Sequence, residues 1–165
     1  MKSIYLTGFM GSGKTTIGKQ LSSKLHLPVM DTDEEISRKE GLSVRTLFEK
    51  YGEDYFRSLE TSILKTIPKE DMIVTTGGGM VVREENRKWM LQNGIVFYLQ
   101  CEFDKLWSRL EKDETRPLVL NQQKEAVKKI YISRQELYKE GSIVIHTTNQ
   151  SVDEVVDEIV SRVKK

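Results

Sequence analysis

Eight residues constrain this chain more than any others: Gly8-Phe9-Met10-Gly11-Ser12-Gly13-Lys14-Thr15, set between an apolar run, Ser3–Thr7, and an amphipathic stretch from Lys14 to about His26. The pattern is G-x-x-x-x-G-K-[ST] in full. Glycines let the backbone bend so that successive N–H groups approach one anion. A helix opening at Lys14 aims the positive end of its dipole at the same place. The lysine reaches β- and γ-phosphates, the Thr15 hydroxyl can ligate Mg²⁺, and Thr16 adds a hydroxyl near the α-phosphate. The motif demands a strand behind it and a helix in front, and both are written into its flanks. Kinases, ATPases and GTPases all use such a loop, so it leaves the acceptor open. The chain has no Asn-Lys-x-Asp segment of the guanine-reading kind, which argues against a GTPase.

The rest of the chain repeats the strand–helix theme. Strands are expected at Leu27–Asp31, Met72–Thr76, Ile95–Leu99 and Ile143–His146. Helices are expected over 44–65 with a break near Tyr51-Gly52, over 83–92 with a stop at Asn93-Gly94, and over 103–111, 124–139 and 152–163. Asp33 is a preferred N-cap type and is expected to open the helix after the second strand. The strands are near-continuous Ile, Val, Leu and Tyr, the mark of strands buried on both faces. Five of them separated by helices imply an α/β fold: a five-stranded parallel sheet between helix layers, a three-layer sandwich. Residues 1–165 are read as one domain, with a helical segment at about 33–61 and a polar, Pro-containing lid at about 112–123.

Composition narrows the partners. With 26 basic and 25 acidic residues, the net charge is +1, far from the basic excess of a nucleic-acid binder. Anion binding must come from locally placed cations. The single cysteine, Cys101, follows an apolar run and is read as a packed thiol. The sequence shows no signal-peptide pattern and no apolar run long enough to span a bilayer. A soluble cytoplasmic protein is expected, with no membrane partner and as a monomer.

A second constellation stands where ligands of open parallel sheets bind, beyond the carboxyl ends of the strands. Asp31-Thr32-Asp33 follows the second strand and Gly77-Gly78-Gly79 the third. One carboxylate could serve Mg²⁺ through water and the other accept a hydrogen bond from a substrate hydroxyl. The glycines suggest a close backbone approach to a ligand. Arg57 lies on a helical stretch, Arg116 in the lid and Arg134 on the helix after it. Taken singly, each arginine is more often a solvated surface residue, and Asp33 more often a cap.

Jointly, and in this order, these segments resemble the shikimate kinase family over nearly the whole chain. The matching segments are Gly8 to Thr16, Asp31-Thr32-Asp33, Phe56-Arg57 with Glu60, Gly77-Gly78-Gly79, Arg116-Pro117-Leu118, and Arg134 with Tyr138. Val119 stands where the family usually has a second leucine. The resemblance implies ATP-dependent phosphorylation of the shikimate 3-hydroxyl, a step toward chorismate and the aromatic amino acids, with one Mg²⁺ per subunit. It implies that Gly11, Ser12, Gly13, Lys14, Thr15 and Thr16 hold the ATP phosphates. Thr15 would bind the metal directly and Asp31 through water. Asp33 would hold the attacking hydroxyl, and Arg57 and Arg134 the shikimate carboxylate. Gly78 and Gly79 would meet the substrate through backbone, and Phe48 and Phe56 would line its pocket. Arg116 would swing onto the phosphates as the lid closes, and Arg109 and Gln150 would flank the adenine. Two alternatives remain from the residues: a gluconate-type sugar-acid kinase, which would share the loop and bind a carboxylate, and a nucleotide-binding regulator without turnover.

Overall fold

The computed structural model describes residues 1–112 and 124–165. Strand β1 (Ser3–Thr7) is wholly buried, and its apolar residues Ile4, Tyr5 and Leu6 have no solvent exposure. It lies at the centre of a five-stranded sheet of order β2-β3-β1-β4-β5, with β2 at Val29–Asp31, β3 at Ile73–Thr75, β4 at Gly94–Gln100 and β5 at Ile143–His146. All four pairings are parallel, with Leu6 between Thr75 and Phe97. Every strand therefore delivers its carboxyl end to the same side. The expected three-layer α/β architecture is the observed one.

Two apolar clusters sandwich the sheet. One gathers Tyr5, Val74, Tyr98, Met80 and Met90 with Leu106, Val127 and Tyr138. The other gathers Ile4, Leu6, Ile73, Phe97 and Ile145 with Ile17 and Leu21 of α1 (Lys14–Leu25) and Val155, Val156 and Ile159 of the final helix, Val152–Val163. A third, smaller cluster belongs to the helices after β2. Here α2 (Thr32–Glu40), α3 (Val44–Tyr51) and α4 (Glu53–Thr66) bury Ile36, Leu47, Phe56 and Ile63 among themselves. The remaining helices are α5 (Glu84–Asn93), α6 (Phe103–Glu111), α7 (Lys124–Lys139) and α8 (Val152–Val163).

The sequence expectations need two corrections, and the structure adds two details. Burial on both faces holds for β1 and β3 but not for β2, an edge strand whose Val29 is exposed, nor for the other edge, β5. The cap of α2 is Asp31, not Asp33: Asp31 keeps extended backbone and accepts from Glu34 N–H at 3.0 Å, whereas Asp33 lies inside the first turn. Helix α5 stops at Asn93-Gly94 as expected, and its C-cap Gly94 is extended and opens β4. A Cβ there would run into the Tyr5 ring and the Ser3 carbonyl, so strand packing accounts for that glycine. A short 3₁₀ turn, Met80–Val82, to which the sequence reading assigned no element, follows the three glycines. Lid residues 113–123 lie outside the described residues.

Candidate active site

The phosphate loop joins β1 to α1 as its pattern requires. Gly13, the N-cap of α1, has φ 90° and ψ 15°, a left-handed conformation that costs a side-chain-bearing residue about 1–2 kcal/mol. No side chain among the described residues caps α1, whose first N–H groups are left to face the loop. Lys14 Nζ donates to the Gly8 carbonyl at 2.6 Å and the Phe9 carbonyl at 3.0 Å, and lies 3.4 Å from Ser12 Oγ. The ammonium is thus held inside the loop's own curve. Gly11, Gly13, Lys14, Thr15, Thr16, Arg109 and Leu110 line a pocket of about 220 Å³. Arg109 reaches that rim from α6 and donates to the Gly11 carbonyl at 2.8 Å. Ser12 is buried beneath it.

Beside the loop, the carboxyl end of β2 is tied to that of β3. Thr75 Oγ1 donates to Asp31 Oδ2 at 2.8 Å, while Asp31 Oδ1 caps α2. Thr32, fully buried, accepts from Gly77 N–H at 3.0 Å. These bonds hold the half-buried Asp33 against the three glycines: a Cβ on Gly77 would come within 2.5 Å of Asp33 Oδ1. Each glycine faces a different side chain, and at Gly77 and Gly79 there is no room for a Cβ. Gly78 faces the Arg134 guanidinium and the Met10 N–H of the phosphate loop, and a Cβ on Gly79 would collide with the Arg57 guanidinium.

Arg57 is buried on α4, where its Nη1 donates to Glu60 Oε1 at 2.6 Å and its Nη2 meets Glu53 at 3.2 Å. Its Cζ stands 5.6 Å from the Phe48 ring centroid and 5.8 Å from that of Phe56, and the two rings are 4.6 Å apart. Arg134, half-buried on α7, has its Cζ 6.0 Å from the Phe9 ring. One turn on, the Tyr138 hydroxyl donates to the Gly78 carbonyl at 2.5 Å. Burial pushes the Glu60 carboxyl up to about 7, against the opposing pull of Arg57. The Tyr138 phenol is likewise pushed up to about 12, chiefly by burial.

The fold therefore gathers Asp33, Arg57, Gly78, Gly79, Arg134, Phe48 and Phe56 at one end of the sheet, beside the pocket that holds Lys14, Thr15, Thr16 and Arg109. Two guanidinium groups from different helices converge on one backbone turn, as recognition of a planar anion requires. Gln150 is not among the residues that line the phosphate pocket; its amide donates to the His146 carbonyl at 2.7 Å and to Glu158 at 3.2 Å. Arg116 lies outside the described residues. Sequence reasoning gave no role to Phe9, an unassigned position inside the phosphate motif, or to Glu60. The signal for Glu60 was its spacing of three from Arg57, which puts both on one helix face.

Hard oxygen donors suit Mg²⁺, and Thr15 and Asp31 are of that kind. No group of three or more His, Cys, Asp or Glu able to hold a metal occurs among the described residues. No helix among the described residues is long and apolar enough to cross a membrane.

The family model described as "Shikimate kinase" matches residues 10–164. The shikimate kinase of Bacillus anthracis (strain A0248) is 47% identical over 165 residues, covering all of both chains. Among solved structures, the shikimate kinase from Acinetobacter baumannii in complex with shikimate superposes with a TM-score of 0.92 at 33% identity, over 99% of this chain and 93% of that one. A gluconokinase from Sinorhizobium meliloti shares the fold alone, with a TM-score of 0.61 at 15% identity over 97% of this chain and 90% of the other.

Proposed function

The chain belongs to the shikimate kinase family, an ATP-dependent class, and we propose that it moves the γ-phosphoryl group of ATP to the 3-hydroxyl of shikimate with the residues gathered beside its phosphate loop. The observation that carries this reading is the convergence of Arg57 and Arg134 on Gly78-Gly79, next to Asp33 and one backbone turn from the phosphate loop.

The chemistry follows from positions. Phosphoryl transfer passes through a loose transition state, so an enzyme gains most from alignment and charge neutralisation. Lys14 exchanges the loop carbonyls for phosphate oxygens and sits at the group in flight. Gly11, Ser12, Gly13 and Thr16 hold the phosphates through backbone and hydroxyl. Thr15, directly, and Asp31, through water, would hold Mg²⁺, which would supply further neutralisation of phosphate charge. Arg57 and Arg134 fix the shikimate carboxylate, with the Gly79 N–H beside them, and Phe48 and Phe56 pack on its ring. That anchoring turns the 3-hydroxyl toward Asp33, which orients it and needs little basicity. Arg109 and Gln150 are assigned to the adenine side, and Arg116 to the phosphates as the lid, residues 112–123, closes and excludes water. The helical segment 33–61 is the acceptor-binding part of a single domain. The enzyme is read as a cytoplasmic monomer acting on small molecules, with no nucleic-acid or membrane partner.

The test is a coupled assay of ADP release with shikimate, gluconate and other hydroxy acids. Shikimate-dependent release that needs Mg²⁺ is expected. Phosphorylation of gluconate with shikimate untouched overturns the acceptor, and ATP binding without any acceptor-dependent release overturns the enzyme reading.

A further inference from the structure

Glu60 is a fully buried carboxylate on the acceptor side, and the transfer chemistry makes no use of it. Its Oε1 is bound by Arg57, and its Oε2 has no hydrogen-bond partner among the described residues. Several charged or titratable groups surround it. From its own helix come Arg57 and, sharing that guanidinium, Glu53. Asp33 acts on it from α2, and Arg134 and Tyr138 from α7. After the Met80–Val82 turn, Arg83 reaches the neighbouring Thr61 at 3.5 Å. Helix α3 contributes apolar Leu47 and Phe48.

Arg57 and Arg134, the cations that offset Glu60, are the same two that the proposed function assigns to the substrate carboxylate. A ligand carboxylate on both guanidinium groups adds a negative charge beside Glu60 and Asp33 and competes for Arg57. An ionised carboxylate cut off from water and from its cation is costly, and neutralisation is the cheaper response. We propose that Glu60 takes up a proton from solvent as the shikimate carboxylate binds, making acceptor binding proton-linked. The proton comes from buffer and forms an O–H bond at the carboxylate, with Oε2 open to it, and no substrate bond changes. Burial already holds the Glu60 carboxyl at about 7, so a small rise in local negative charge shifts a large fraction of it near neutral pH. The inference rests on shikimate being the acceptor.

Calorimetry of shikimate binding at pH ~7.5–8, in buffers of different ionisation enthalpy, counts the protons. Wild type should take up roughly half to one proton per site, and its shikimate Kd should rise with pH above about 7, by at most roughly tenfold per unit. Glu60→Gln should bind shikimate with a buffer-independent heat and a flatter pH profile. Should that variant not fold, an infrared difference spectrum of wild type decides: a protonated-carboxyl band gained on adding shikimate supports the linkage. A buffer-independent heat in wild type, no such band, or undiminished uptake in folded Glu60→Gln overturns it. Neither shikimate heat nor shikimate-dependent ADP release overturns the acceptor reading instead, and this inference with it.

Discussion

The two halves of the cleft are built in different ways. The phosphate side is backbone: a loop springing from the central strand, flanked by β3 and β4 and backed by both large clusters. The acceptor side is mostly side chains: Arg57, Phe48 and Phe56 come from helices that follow the edge strand β2 and have their own small core. The difference suits the two ligands. Triphosphate is a generic anion that N–H groups and one lysine can hold, whereas a cyclic hydroxy acid is told from others by where its carboxylate and hydroxyls fall. On the proposed reading the phosphate side sets rate and the acceptor side sets selection.

Substitutions test that division. Lys14→Ala removes the charge proposed to meet the transferring group and should lower kcat by about a thousandfold. Steady-state turnover measures the loss, and shikimate affinity by calorimetry should stay within a few-fold. A large loss of shikimate binding would break the division. Arg134→Ala should weaken shikimate binding by about 2–3 kcal/mol, low for a truncated charge pair because Arg134 is half-buried. Its ATP affinity should change little, and an unchanged KM for shikimate refutes the carboxylate role.

Smaller effects concern stability. Glu60 is held at about 7 in the fold against the 4.5 of a free glutamate, so between those values the folded state binds the more protons. Its contribution is therefore full below pH ~4.5 and is lost as pH rises through about 7. Glu60→Gln should stay level across that window while wild type declines, as read from denaturant midpoints at each pH. Ser43 caps α3 by accepting from Thr46 N–H at 3.1 Å, and Ser151 closes a capping box on α8. Ser43→Ala and Ser151→Ala should each cost about 1 kcal/mol. Hydrogen exchange should localise the first to α2–α4 and spread the second through the cluster that contains α8. Equal spreading would mean that the acceptor helices are not a separate packing unit.

Most of the fold was legible because its signals are local. The phosphate motif fixes a strand before it and a helix after it, and Gly52 breaks the helical run where it was expected, at φ 86°. What stayed hidden depends on the pairing of distant segments. β2 looks like any apolar run until its place at the sheet edge is known. Asp31 and Asp33 are equally good caps by residue type, and only the length of β2 decides between them. The site residues were visible as types, but the burial of Glu60 was not, since an acid on a polar helix reads as solvated until α2 and α7 close over it. The contact of Phe9 with Arg134 spans 125 positions and leaves no mark in either neighbourhood.

The three glycines between β3 and the 3₁₀ turn bear on how such an enzyme could change its substrate over generations. Two of them press on side chains of the proposed site, Gly77 on Asp33 and Gly79 on Arg57, while Gly78 stands in ordinary contact with Arg134. A methyl group on Gly77 or Gly79 displaces a group borne on another helix. New acceptors are therefore reached by exchanging the side chains on α2, α4 and α7, while the turn among them is the inelastic gauge against which each exchange is measured.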